Sequence, residues 1–107
     1  MTITVKAAAD PRSFREIRQL KDWGKLDNFK VYTITEYGNG HKFLGYTNIY
    51  TYVYNNKFYI SLDILNETYK RGGERRSQVH KSFENREQAN EYFREIVKGK
   101  EWEKVQG

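Results

Sequence analysis

The stretch that decides the fold runs from Gly45 to Leu65 and reads GYTNIYTYVYNNKFYISLDIL. Its side chains alternate between two kinds on either side of Asn55-Asn56, which is typical of two half-buried β-strands. Asparagine tolerates the positive φ of a type I′ turn, so this dipeptide is predicted to close a two-residue hairpin. The predicted cross-strand pairs are Tyr54–Lys57, Val53–Phe58, Tyr52–Tyr59 and Tyr50–Ser61.

The alternation gives this hairpin two different faces. One face is apolar and is predicted to line the core: Ile49, Thr51, Val53, Phe58, Ile60, Leu62 and Ile64. The other face, called here the tyrosine face, carries Tyr46, Asn48, Tyr50, Tyr52, Tyr54, Lys57, Tyr59, Ser61 and Asp63. Solvent-facing strand positions usually hold smaller polar or charged residues. The tyrosine face is therefore either a binding surface or a surface covered by a helix.

Composition indicates one small ordered domain. The chain has 107 residues, of which 16% are aromatic and 31% charged, and its mean hydropathy is −0.94. This length supports a single modest core, with loose ends expected at about residues 1–9 and 100–107. The chain has no cysteine, which excludes disulfides and thiolate zinc sites. Without an apolar run of roughly 18 residues, no membrane contact is expected, and a cytoplasmic location in a cell or infected host is predicted.

Positive charge is concentrated in one predicted hairpin. The formal net charge is +5, and the segment from Tyr69 to Lys81 holds five basic residues against Glu74 alone. Such a concentration raises the affinity for polyanions, foremost nucleic acid, although a solvated loop would show the same pattern. The basic residues of this segment are Lys70, Arg71, Arg75, Arg76 and Lys81.

The N-terminal part predicts a helix. Asp10 is its expected N-cap and Pro11 its first residue, while Gly24 ends it. Its apolar stripe consists of Phe14, Ile17, Leu20 and Trp23. Its opposite side carries Arg12, Arg15, Arg18 and Lys21. A basic helix side can bind phosphates, but it can equally be a solvated surface.

The remaining segments complete an α+β fold. Residues 28–37 predict a strand that a three-residue loop at 38–40 joins to the central hairpin, and residues 77–83 predict a fourth strand. Residues 85–98 predict a helix capped by Asn85. The expected pairs of the first strand are Thr35–Phe43, Val31–Thr47 and Phe29–Ile49. This register places Phe29, Val31 and Thr33 on the core face, and Lys30 and Tyr32 beside the tyrosine face. The prediction is a four-stranded antiparallel sheet flanked by an N-terminal and a C-terminal helix, in the order α-β-β-β-β-α.

Catalytic and metal-binding patterns are absent from the sequence. His41 and His80 have no ligand at metal-binding spacing, and no cysteine–histidine pair exists. Asp63 and Glu67 could form a carboxylate pair, but no nucleotide-binding or nuclease motif accompanies them. We therefore expect neither an enzyme nor a cofactor or metal.

Part of the chain resembles a known family of DNA-binding domains. Its features are a strand at Tyr50–Tyr54, a partner at Lys57–Ile64, a basic return strand ending in Lys81-Ser82-Phe83, and the segment Phe83-Glu84-Asn85-Arg86-Glu87-Gln88-Ala89-Asn90-Glu91-Tyr92. This segment is similar to Phe-x-Thr-x-Glu-Glu-Ala-x-x-Tyr of the AP2-like group, found in plant transcription factors and in arm-site-binding N-termini of phage and transposon integrases. The resemblance, over Phe43–Lys98, implies three strands plus a helix that bind duplex DNA. Tyr69-Lys70-Arg71-Gly72 and Trp102 also resemble the WGR domain, another nucleic-acid module.

Two functions are compatible with these features. The first is non-enzymatic binding of nucleic acid, duplex DNA being favoured, through the tyrosine face and the basic hairpin. The second is contact with a host protein or nucleoprotein through the same tyrosines, as in a small phage or mobile-element inhibitor, by a monomer or homodimer. The predicted binding residues for either are Tyr32, Tyr46, Tyr50, Tyr52, Tyr54, Lys57, Tyr59, Lys70, Arg71, Arg75, Arg76 and Lys81. Both functions require that the first helix leaves the tyrosine face open.

Overall fold

In the part of the chain that the structure describes, five antiparallel strands and two α-helices form the fold, so the α+β class is confirmed. The structure is a computed structural model that describes residues 11–69 and 73–107, apart from the side chains of His41, 67–69 and 73–75. Its elements are α1 (Phe14–Asp22), β1 (Asp27–Tyr37), β2 (Phe43–Tyr54), β3 (Lys57–Tyr69), β4 (Gly73–Phe83), α2 (Arg86–Val97) and β5 (Trp102–Gln106). The strand order across the sheet is β4-β3-β2-β1-β5.

The central hairpin of β2 and β3 has the predicted register. Asn55 and Asn56 both adopt positive φ, at 52° and 62°, as a type I′ turn requires. The pairs Tyr54–Lys57, Val53–Phe58, Tyr52–Tyr59 and Tyr50–Ser61 all form. The turn and the alternation together therefore fix which side chains share a face.

The predicted pairing of β1 with β2 is wrong by three residues. Thr35 pairs with Tyr46 and Val31 with Tyr50. A five-residue connection, closed by a hydrogen bond from the Gly38 N–H to the Lys42 carbonyl oxygen, shifts the pairing by two residues, and a bulge at Glu36/Tyr37 shifts it by one more. An odd shift moves every side chain of a strand to the opposite face. Phe29, Val31 and Thr33 consequently lie on the tyrosine face, and Lys30 and Tyr32 lie on the core face.

Helix α1 begins later than predicted and packs on the tyrosine face. Asp10 lies outside the described residues, and the N-cap is Ser13, whose Oγ accepts a hydrogen bond from the Glu16 N–H at 3.2 Å. The helix ends as predicted before Gly24, whose φ of +68° suits a glycine. Trp23, expected in the buried stripe, caps the helix and remains 67% exposed.

Helix α2 covers the predicted core face. The Asn85 cap is confirmed, because its Oδ1 accepts a hydrogen bond from the Gln88 N–H at 2.9 Å. Ala89 is buried over the sheet. The buried part of this α2-side core comprises Ile34, Ile49, Ile60, Leu62 and Ala89. The apolar alternation of β2 and β3 therefore identified the main core correctly.

The four-stranded prediction missed β5. Residues 102–106, expected to belong to a loose end, pair antiparallel with β1, and Trp102 contacts Tyr32 edge-to-face at 5.4 Å. Just before β5, the Lys100 ammonium forms an ion pair with the Glu36 carboxylate of β1 at 2.7 Å, which links the start of β5 to β1. Residues 1–9, the other predicted loose end, lie outside the described residues. Of the helices in the described ranges, α1 and α2, neither is long and apolar enough to cross a membrane.

Candidate nucleic-acid interface

Helix α1 covers the middle of the tyrosine face. Ile17 packs in one cluster with Tyr52 and Tyr59, which are only 2% and 3% exposed. These two rings stack in parallel with centroids 5.3 Å apart. Phe14 contacts Tyr50 with ring centroids at 4.7 Å. In this arrangement Tyr52 and Tyr59 form a second core instead of a surface on which a base could stack.

The other predicted tyrosines are divided between the two sides of the sheet. Tyr32, predicted beside the tyrosine face, instead contacts Phe93 of α2 at 4.8 Å, as the corrected register of β1 requires. Tyr46 and Tyr54 are half-buried on the tyrosine face, where the Tyr54 ring packs against Tyr59 with centroids 6.2 Å apart. The structure therefore does not bring the predicted tyrosines together on one open surface.

A buried polar chain lies beneath α1. Ser61 is completely buried, and its Oγ bonds both the Tyr52 hydroxyl at 3.1 Å and His80 Nδ1 at 2.9 Å. The other ring nitrogen of His80 is buried without a hydrogen-bond partner among the described residues. Burial lowers the pKa of His80, while the charge of Glu16 opposes this shift. The serine–histidine pair connects β3 and β4 through their side chains beneath α1.

The predicted basic residues do not share one surface. Lys57 lies 3.8 Å from Glu84, and the Lys81 ammonium lies 4.9 Å from the centre of the Tyr92 ring on the α2 side. Arg76 is exposed on the opposite side, in the strand position facing Leu65. Lys70, Arg71 and the side chain of Arg75 lie outside the described residues.

Arg76 faces a groove along α1. The groove has a volume of about 450 Å³, and Arg18 and Lys21 of the helix line it together with Arg76. Tyr50 and Asp63 line it as well. Burial, followed by the charge of Asp63, raises the pKa of Tyr50 above its ordinary value of 10.0. The groove is therefore lined by three cations, a protonated phenol and two carboxylates, those of Asp22 and Asp63.

The exposed cations of α1 extend the cationic rim of this groove. Arg15 lies on the side of α1 opposite the buried Ile17, Arg18 and Lys21 border the groove, and the exposed Arg12 precedes the helix. Among the described residues, Arg12, Arg15, Arg18 and Arg76 form no ion pair. The Lys21 ammonium lies 4.7 Å from the centre of the Phe29 ring. We call the following residues the α1 basic surface: Arg12, Arg15, Arg18, Lys21 and Arg76.

Sequence reasoning identified Arg76 and the basic side of the helix separately, but it did not join them. The signal that could have joined them is the tyrosine face, because a helix packed on it lies on the same side of the sheet as Arg76. The position of Ser13, three residues before Glu16, would also have located the start of the helix. The tyrosines of the sheet and the basic helix α1 thus pack against each other on one side of the sheet.

No cluster of histidine and carboxylate side chains suited to a metal occurs within residues 11–69 and 73–107. Comparison of the chain with protein-family models, with curated proteins and with solved structures finds no match.

Proposed function

We propose that this protein is a non-enzymatic nucleic-acid-binding domain that contacts the phosphates of duplex DNA through the α1 basic surface. The observation that carries the proposal is the exposure of Arg12, Arg15, Arg18 and Arg76 on one side of the sheet without an ion pair among the described residues. Unpaired arginines in such an arrangement bind phosphate in a forked geometry. The net charge of +5 favours the same partner over long range.

The dimensions of α1 suit a short contact with a duplex. The helix rises about 1.5 Å per residue, so Arg15 and Lys21 lie about 9 Å apart along its axis. This length corresponds to roughly three base-pair steps of DNA at about 3.4 Å each. Asp63 and Asp22 line the groove and repel anions, so the phosphates are expected at the cationic rim and not on the groove floor.

This mode of binding differs from base stacking on open tyrosines. Tyr52 and Tyr59 are covered by α1, so aromatic contacts contribute little and phosphate contacts dominate. Phosphate contacts carry no sequence information directly. We therefore expect binding with low sequence preference and strong salt dependence.

Fluorescence anisotropy with a labelled duplex of about 20 base pairs at about 50 mM salt tests the proposal. Replacing Arg15→Gln and Arg18→Gln removes two phosphate contacts and should weaken binding about tenfold. The matched control is Arg94→Gln with Lys98→Gln, which removes two exposed charges at the end of α2 and should change affinity less than about twofold. Undetectable binding by the unchanged protein, or an equal loss in both variants, would contradict the proposal.

A second candidate function, binding to another protein, is favoured by exposed aromatic residues. Tyr37 is 61% exposed and contacts Phe43 edge-to-face at 6.3 Å at the β1–β2 turn, and Trp23 is exposed at the end of α1. Exposed aromatic residues are enriched in protein interfaces. If this candidate were correct, Tyr37→Ala would abolish capture of a partner protein, whereas the Arg15 and Arg18 replacements would leave it intact.

A further inference from the structure

A second cavity lies on the other side of the sheet, between α2 and the ends of β1 and β2. Its volume is about 250 Å³. The apolar side chains of its wall are Val53, Phe58, Ile60, Ala89 and Phe93, and Tyr32, Tyr52 and Tyr59 line it as well. We call this cavity the bulge pocket. It shares no wall with the groove along α1 that holds Arg18 and Arg76, so it is a separate feature of the molecule.

A β-bulge in β1 lies beside this pocket. Asp27 pairs with Val53 but the next described pair is Lys30 with Thr51, so two residues of β1 oppose one residue of β2. Asn28, in this bulge, adopts a φ of +53°, a conformation that asparagine tolerates better than most residues. Bulges disrupt the hydrogen-bond ladder locally, bend the bulged strand and re-aim side chains, often next to functional sites. Asn28, in the bulge, and Lys30, the first residue paired after it, both line the pocket.

The helix contributes a small side chain where space is needed. Ala89 stands over the sheet at this point, and its methyl group fills less volume than the aromatic residues at other inward positions of α2. Phe93, one turn further along, bounds the pocket and contacts Tyr32. The cavity is therefore bounded by rings on two sides.

Two cations and no carboxylate line the bulge pocket. Lys30 lies on the strand side and Arg86 on the helix side. The Arg86 guanidinium lies 5.3 Å from the centre of the Phe58 ring, which keeps it at the pocket wall. Neither residue forms an ion pair among the described side chains. Positive charge on an apolar cavity without a compensating acid favours an anionic occupant.

The position of Arg86 in its helix strengthens this conclusion. Arg86 is the first residue of α2, where the helix dipole presents positive partial charge. A cation is unfavourable in the first turn, where acidic residues are preferred. The contact with the Phe58 ring offsets this effect, so the guanidinium and the helix N-terminus together place positive charge at one wall of the pocket.

We propose that the bulge pocket binds a small aromatic acid, with the ring between Phe58 and Phe93 and the acid group between Lys30 and Arg86. The volume of about 250 Å³ is slightly below the range of about 300–1,000 Å³ of drug-sized ligand sites, so it suits a single ring with a short acidic arm. This binding goes beyond the proposed contact with DNA and does not depend on it.

Amide chemical shifts of the isotope-labelled protein, titrated with phenylacetate, test this proposal. Saturable shifts should be confined to the amides around Phe58, Ala89 and Phe93. Phenylacetamide, which keeps the ring but lacks the charge, should bind about tenfold more weakly. Phenyl phosphate should shift the same amides, because both cations can donate hydrogen bonds to a carboxylate or to a phosphate.

Two variants complete the test. Lys30→Gln with Arg86→Gln should weaken phenylacetate binding about tenfold, and Ala89→Met should block it by filling the cavity. The control Arg94→Gln with Lys98→Gln should bind as the unchanged protein does. Equal affinity for phenylacetamide, shifts scattered over the whole surface, or full binding by the Lys30 and Arg86 variant would overturn the proposal. The double replacement decides the matter even if Ala89→Met does not fold.

Discussion

His80 lies between α1 and the sheet, where its imidazole has one satisfied nitrogen. Nδ1 bonds Ser61 Oγ at 2.9 Å, and the ring contacts Phe14 with centroids 5.1 Å apart. Burial lowers the pKa of His80 below its ordinary value of 6.5, while Glu16 on α1 opposes the shift. The folded protein therefore binds a proton at His80 less readily than the unfolded chain does.

This difference predicts that stability depends on pH. The contribution of neutral His80 is fully present above about pH 6.5 and is lost as the pH falls below it, because the unfolded state takes up the proton first. The free energy of unfolding, measured by urea denaturation between about pH 7.5 and 5.5, should decrease toward the lower pH. His80→Gln should remove this decrease. A variant with the same pH dependence as the unchanged protein would show that His80 is not its source.

Among single residues, the sequence predicted the turn asparagines and the hairpin pairs, but not the environment of the tyrosines. Asn55 and Asn56 could be predicted because the turn depends on local backbone preferences. The burial of Tyr52 could not, because an alternating strand pattern is the same under solvent and under a helix. Two sequence-distant groups, Ser61 and His80, meet only through the pairing of β3 with β4.

At the level of elements, α1 is the helix that packs on the tyrosine face. Its single buried residue, Ile17, packs against the stacked rings of Tyr52 and Tyr59, and Phe14 and Leu26 complete the cluster. Aromatic rings supply large apolar area per residue, so this second core needs few aliphatic side chains. A nine-residue helix is marginal by itself and depends on this contact.

Loss of the Ile17 side chain should therefore detach α1. Ile17→Ala removes a buried side chain and should lower the free energy of unfolding by about 2–4 kcal/mol. Chemical modification of tyrosines, followed by mass spectrometry, should then become faster at Tyr52 and Tyr59. The exposed Gln19→Ala serves as control and should change neither quantity. If Ile17→Ala left the modification rates unchanged, α1 would not be what covers these rings.

The strands differ in how far the sequence could predict them. The β2–β3 hairpin follows from alternation and a two-residue turn. The register of β1 depends on a five-residue connection and a bulge near Glu36, neither of which leaves a clear pattern in the sequence. Strand β5 is short, and its pairing with β1 becomes apparent only when the edge of the sheet is known.

For the whole molecule, the sheet separates two different surfaces. The α1 side carries the α1 basic surface, whereas the exposed side of α2 mixes acidic and basic residues along the helix. A phosphate backbone is therefore expected on the α1 side, and the bulge pocket remains accessible on the α2 side. The sequence located positive charge near Arg76, but the cations of α1 join it only through the packing of the helix on the tyrosine face.

The salt dependence of duplex binding tests the proposed function most directly. Each phosphate contact contributes about 0.9 to the slope of the logarithm of the binding constant against the logarithm of salt concentration. Replacing Arg15, Arg18 and Arg76 by glutamine should reduce the magnitude of this slope by about 2–3, measured between about 50 and 200 mM salt. An unchanged slope in this variant, or no salt dependence in the original protein, would contradict phosphate binding by the α1 basic surface.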